Sequence, residues 1–188
     1  RNAALGLKVI EAIPGQKISK DISEGFGPGM KEDTVKALKD KLAAAGVRLA
    51  SFGVTGVPTD EKGARKFFEW AKMMGLDNIV TETDSKVFDA LCDEFKINIA
   101  FHNHPESWPP EKVLSTCGDR TKRIGACADT GHWMRHKDVP LDCIKKLKGR
   151  IECFHFKDLN DKNQDVPWGT GKCDVKGIDP ATFPERFE

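Results

Sequence analysis

At 188 residues the chain is long enough for one domain with a sizeable core, and 39% hydrophobic against 31% charged residues is ordinary for a globular protein. Its 30 basic and 29 acidic residues leave a net charge of +1, so bulk charge selects for neither nucleic acid nor an anionic membrane. No apolar run reaches the ~20 residues of a membrane helix and no targeting segment is visible, which makes the expected location cytoplasmic.

Taken in order, residues 5–10 read as a strand ending at Glu11, and Pro14-Gly15 breaks it. Residues 25–29 form a Gly/Pro loop that lacks the Gly-Lys-Ser/Thr ending of a phosphate loop. Residues 31–45 predict a helix with Val35, Leu38, Leu42 and Ala45 on one face and Gly46 as its stop. Residues 47–54 predict a strand, and residues 59–74 a helix with Phe67, Phe68, Trp70, Ala71 and Met74 on its apolar side. Asn78–Thr81 is a strand leading into Glu82, and residues 85–95 are a helix. Residues 97–101 are a strand that runs into His-Asn-His-Pro, followed by a short helix at 110–116. Residues 124–128 and 151–154 are strands separated by an amphipathic segment at 139–147.

Strand and helix thus alternate about six times with no antiparallel hairpin signal, which implies a parallel sheet covered by helices. An open doubly wound sheet and a closed barrel compete. Polar residues close successive strands at Glu11, Glu82, His102, Asp129 and His155, and functional groups gathered from many strand ends are a barrel's habit. An eight-stranded barrel typically takes ~250 residues, so the expectation is one domain over 1–188 that lacks its first and last strands.

All five histidines fall between His102 and His155. Asp129 follows an apolar strand directly, and the turn at Gly131 can bring His132 back over it. His155 closes the next strand, 26 positions later, between two phenylalanines. A carboxylate and imidazoles suit Mn, Fe, Co or Zn. His102 and His104 alternate onto one strand face with Asn103 opposite, a recurring arrangement for holding a metal or substrate. Lys157 shares the His155 face and either meets a substrate oxyanion or pairs with Asp158. Glu82 is either an acid/base group or a rim charge. Trp168, in a Pro-Trp-Gly-Thr-Gly loop, is either an apolar wall for a sugar ring or packing over the rim. His136 sits in a polar stretch and reads as solvated. The six cysteines contain no CxxC pair and read as reduced thiols rather than a disulfide framework.

These residues carry a resemblance. Ala-Phe-His-Asn-His-Pro at 100–105, Gly-Ala-Cys-Ala-Asp-Thr-Gly-His at 125–132, Phe-His-Phe-Lys-Asp at 154–158 and Trp-Gly-Thr-Gly-Lys-Cys-Asp at 168–174 resemble the xylose isomerase-like barrels, specifically the sugar phosphate isomerase/epimerase group. The resemblance implies an α/β fold of the (β/α)8 TIM barrel type, incomplete here, with one divalent metal (Mn, Co, Zn, Fe or Mg) at its C-terminal face. It implies Asp129 and His155 as metal ligands and His132 as a substrate contact. His102 stands where the family usually has a Glu that is both ligand and acid/base. A further Glu ligand, usual on the last strand, is not found in this chain.

The function expected on this basis is metal-dependent isomerisation or epimerisation of a small sugar, sugar acid or sugar phosphate through an enediolate. Glu82, His102 and Lys157 are the catalytic candidates, His104, His132, Lys157 and Trp168 the substrate contacts, and His102, Asp129 and His155 the metal ligands. A metal-dependent lyase or hydrolase of keto-glycosides and a sugar-binding barrel without catalysis are the alternatives. The partner expected is a small carbohydrate, with no nucleic acid or membrane and with room for a homo-oligomer.

Overall fold

A computed structural model of the protein describes residues 3–104 and 106–178. The chain divides into two compact units, residues 1–97 and 98–188. Pro105, which closes the His-Asn-His-Pro motif, and the tail beyond residue 178, expected to lead toward a missing strand, lie outside the described residues.

In the first unit, β1 (Val9–Ala12), β2 (Arg48–Thr55) and β3 (Asn78–Thr81) pair in parallel in that order. Helices α1 (Glu32–Ala44), α2 (Glu61–Met74) and α3 (Phe88–Phe95) alternate with them. The first strand starts later than the sequence predicts. A 3-10 turn occupies Ala3–Leu5, Gly6 adopts a left-handed φ of 76°, and Leu5 and Leu7 stay exposed. α2 starts where the Asp60 side chain accepts the Gly63 N–H at 2.9 Å and stops at Gly75, φ 75°. α3 is shorter than predicted and begins at Phe88 rather than Ser85. Phe52, Phe67, Trp70 and Phe26 pack ring against ring in this unit, with centroids 5.0–6.3 Å apart. Full burial of rings of this size stabilises by roughly 1.5–3 kcal/mol each, which accounts for the strong apolar face of α2.

In the second unit, β4 (Asn98–His102), β5 (Ile124–Asp129) and β6 (Ile151–His155) are parallel. Every residue of β5 is buried, as expected of a strand covered on both faces. A Cβ at Gly125 would collide with the Arg150 carbonyl oxygen, so only glycine lets β5 and the start of β6 approach this closely. The Arg150 guanidinium donates to the carbonyls of Gly118, Arg120, Thr121 and Ile124, tying the turn before β5 to the start of β6. Helices α4 (Pro110–Cys117) and α6 (Pro140–Lys146) both begin with proline in the first turn.

Two further elements differ from expectation. A short helix, α5 (Thr130–Arg135), starts directly at the end of β5, where a simple turn was predicted. An antiparallel ribbon joins β7 (Asp158–Leu159) to β8 (Asp165–Val166), although no hairpin was expected. The Asn160 side chain makes that ribbon by accepting the N–H groups of Lys162 and Gln164, an Asx-type turn. No disulfide joins the six cysteines. No helix among the described residues is long and apolar enough to cross a membrane.

Candidate metal and substrate site

The C-terminal ends of β4, β5 and β6 converge on one carboxylate. Register sets Asp129 beside His155 and His102 beside Cys127, one alternation below Asp129. Asp129 is fully buried and divides its two oxygens. Oδ1 accepts the backbone N–H of His132 at 3.0 Å and so caps α5. Oδ2 accepts from the Lys157 ammonium at 2.7 Å. Around the same oxygen stand His102 Nε2 at 3.4 Å, His132 Nε2 at 3.7 Å and His155 Nδ1 at 3.8 Å.

Burial pushes the Asp129 carboxyl upward. His102, Lys157 and the His132 N–H outweigh that and hold it far below the ordinary carboxylate range, so it is ionised. Burial lowers His132 to about 4; Asp129 opposes this, while Lys157, His102 and His104 add to it, leaving a neutral imidazole at pH 7.

Two residues that sequence reasoning passed over hold this carboxylate in place. Asn103, assigned to the opposite strand face and given no role, is buried and grips Asp129 through the backbone. Its Oδ1 accepts the Asp129 N–H at 2.6 Å and its Nδ2 donates to the Asp129 carbonyl at 3.0 Å. Thr130, also buried, donates to the Lys157 carbonyl at 2.7 Å and accepts the Lys157 N–H at 2.7 Å. Polar residues immediately after apolar strand runs were the available signal for both.

The pairing of Lys157 with Asp158 is corrected: Lys157 lies past the end of β6 and its ammonium goes to Asp129. Asp158 is buried elsewhere, with Oδ1 accepting the N–H groups of Leu159 and Cys173 and Oδ2 those of Gly169 and Gly171. Trp168 rides on the loop so held. Its indole N–H donates to the Phe156 carbonyl at 3.0 Å, its ring meets Phe156 edge-on at 5.7 Å, and it is 68% exposed. It is therefore neither buried packing nor loose. Glu82 lies one residue beyond β3 in the first unit, half-buried. His104 is exposed, with its ring against His102 at 4.7 Å and His132 at 4.6 Å. His136 pairs with Asp138 at 2.9 Å on the surface, as its polar stretch suggests.

One ligand atom each from His102, Asp129 and His155 lie within 4.8 Å of one another, and so do those of His102, His104 and His132. Donors about 2.1 Å from a tetrahedral ion stand about 3.4 Å apart. The 3.4 and 3.8 Å separations around Asp129 Oδ2 are already close to that spacing, so a carboxylate with two imidazoles fits a divalent cation.

Solved structures extend these findings. An uncharacterized protein from Parabacteroides distasonis ATCC 8503 is 30% identical; the match covers 93% of this chain and 73% of that one, with a TM-score of 0.70. D-psicose 3-epimerase, solved in the presence of D-fructose, is 14% identical over 94% of this chain and 70% of its own, TM-score 0.67. A xylose isomerase-like TIM barrel protein from Mycobacterium smegmatis in complex with magnesium is 13% identical over 89% and 70%, TM-score 0.64. The fold is that of an incomplete (β/α)8 barrel. No protein-family model and no curated protein matches the chain.

Proposed function

We propose that the chain, which shares the fold of the xylose isomerase-like TIM barrels, belongs to the sugar phosphate isomerase/epimerase group and is a metal-dependent isomerase or epimerase of a small sugar, sugar acid or sugar phosphate. The observation that carries this reading is the ring of His102, His132, His155 and Lys157 nitrogens around one buried oxygen of Asp129. A neighbour of the same fold solved with D-fructose supports a sugar substrate, and another solved with magnesium supports a divalent ion.

His102, Asp129 and His155 would hold the ion. It supplies Lewis acidity that favours negative charge on adjacent carbonyl and hydroxyl oxygens of the substrate. The proton on the hydroxyl-bearing carbon beside the carbonyl would then leave more readily. An acid/base group would take that proton and return it to the neighbouring carbon or to the same carbon, and Glu82 and His102 are the candidates, each from its own place at the end of a strand. Lys157, cationic beside Asp129, donates to the oxygen on which enediolate charge develops. His132, neutral at pH 7, can donate to or accept from a substrate hydroxyl. His104 at the exposed edge and Trp168 with its open ring orient the rest of the sugar. A cytoplasmic location, where six cysteines stay as thiols, belongs to the same reading, as does a single barrel domain over 1–188.

His102 in place of the family's usual Glu favours a second reading on the same site. Fewer carboxylates near the substrate suit elimination from a keto-glycoside, whose carbonyl already acidifies the neighbouring C–H bond. Solvent deuterium exchange into free ketoses, assayed beside product release from keto-glycosides, separates the two. Metal analysis of wild type, Asp129→Ala and His155→Ala accompanies both assays. We expect one equivalent of divalent ion in wild type, its loss in both variants, and deuterium exchange that stops with chelation. Full turnover by metal-stripped protein overturns the reading.

A further inference from the structure

We propose that His102, His104 and His132 form a second, outer cation seat, suited to zinc(II) and copper(II), which cannot be filled together with the inner seat because His102 serves both. The inner seat comes from the functional reading above; the outer one stands on the three imidazoles alone.

Their ligand atoms lie within 4.8 Å of one another, and the three rings meet pairwise at centroid distances of 4.7, 5.2 and 4.6 Å. Three nitrogens on one ion stand about 3.4 Å apart, so the imidazoles need to close by at most about 1.4 Å. Ring rotation at the exposed His104 and half-buried His132 supplies this without backbone movement. The two seats differ in chemistry. The inner one contains a carboxylate, which suits magnesium and manganese; the outer one offers imidazole only, which suits zinc, copper and nickel. They also differ in access, because His104 is exposed while Asp129 is fully buried. A neutral imidazole has one lone pair to give, its other nitrogen carrying the proton, so His102 ligates one ion at a time. Zinc or copper in the outer seat would occupy the groups assigned above to the substrate, and would inhibit in proportion to its occupancy.

The test uses protein without a polyhistidine tag. Copper(II) binding is followed by electron paramagnetic resonance, zinc(II) by competition with a chromophoric chelator, and manganese(II) by its own resonance signal. Asp129→Asn removes the inner seat's charge while keeping a carbonyl oxygen to cap α5, and His155→Ala is a second, independent way to disable it. Both variants should keep one copper(II) with a three-nitrogen hyperfine pattern. Adding His104→Ala to either should lower copper and zinc affinity by at least about tenfold, since loss of even an outer-shell partner costs 10–100-fold. Asp129→Asn protein that binds no copper, or binding indifferent to His104→Ala, overturns the proposal. Manganese reports the inner seat separately. Wild type that fails to bind manganese, with three-nitrogen copper retained in Asp129→Asn, would sink the inner seat and leave the outer one standing.

Discussion

Asp158 gives the most direct measure of how the loop beyond β6 is held. Its carboxylate, 1% exposed, accepts four backbone N–H groups at 2.8–2.9 Å, two on each oxygen. Leu159 and Cys173 are buried, so their N–H groups have no water to turn to if the carboxylate is removed, whereas Gly169 and Gly171 are exposed and regain solvent. An unsatisfied buried donor costs about 1–3 kcal/mol, so two give a penalty of about 2–6 kcal/mol for Asp158→Ala. Asp158→Asn should be milder, because its remaining oxygen still accepts the Leu159 and Cys173 N–H groups while its amide nitrogen faces the exposed Gly169 and Gly171 donors. The loss is local, so hydrogen exchange is the suitable assay. Protection of the Leu159 and Cys173 amides should fall at least about thirtyfold, the factor that 2 kcal/mol commands. The Trp168 emission should shift as its tether to Phe156 loosens. Protection of the Leu159 and Cys173 amides in Asp158→Ala within threefold of wild type would refute the reasoning, since it would mean that those buried N–H groups find other acceptors.

Lys157→Met removes the ammonium that lies 2.7 Å from Asp129, so manganese affinity should rise by about tenfold, roughly 1.4 kcal/mol, while turnover falls; weaker manganese binding in a calorimetric titration would contradict this. Thr130→Val leaves the Lys157 backbone N–H without its acceptor and should cost about 1–3 kcal/mol in urea unfolding, with kcat lowered more than KM raised. In chelator-treated protein, stability should fall on acidification in two stages. His132 is lowered from 6.5 to about 4, so the unfolded chain binds the extra proton first, and stability present above pH 6.5 is lost as pH falls toward 4. With solvent screening this amounts to about 1–2 kcal/mol. Asp129 and Asp158, both held below their ordinary value, add a further loss below pH ~4. Urea unfolding at pH 7, 5.5, 4.5 and 3 checks it, and His132→Gln should flatten only the first stage.

The strand ends were legible because each apolar run breaks off at a single polar residue, and strand alternation then says which neighbours share its face. Asp129, His155 and His102 were found that way, and so was the helix–strand rhythm that carries them. What escaped depends on groups meeting across the fold. Nothing local in Phe-His-Phe-Lys-Asp tells whether the Lys157 side chain turns to its neighbour or reaches back 28 positions to Asp129. Asn103 looked idle because alternation sent it away from the histidines, yet its amide matches a backbone N–H and carbonyl on the next strand. The helix at Thr130 went unseen because six residues carry little periodicity, and its start is fixed by the Asp129 side chain rather than by any pattern. The left-handed Gly6 displaced the first strand for a similarly local reason.

One oxygen of Asp129 anchors the first turn of α5 while the other faces the histidines and Lys157. Electrostatic demand on one oxygen is therefore felt by the other, and the opening turn of that helix becomes an indicator of what occupies the cluster. An amide or carbonyl probe placed at His132 would register cation loading without any substrate, and replacing the aspartate with a residue that cannot cap would fray the helix as well as empty the centre. Substitutions at this position report two losses at once unless the replacement keeps an acceptor for the His132 N–H.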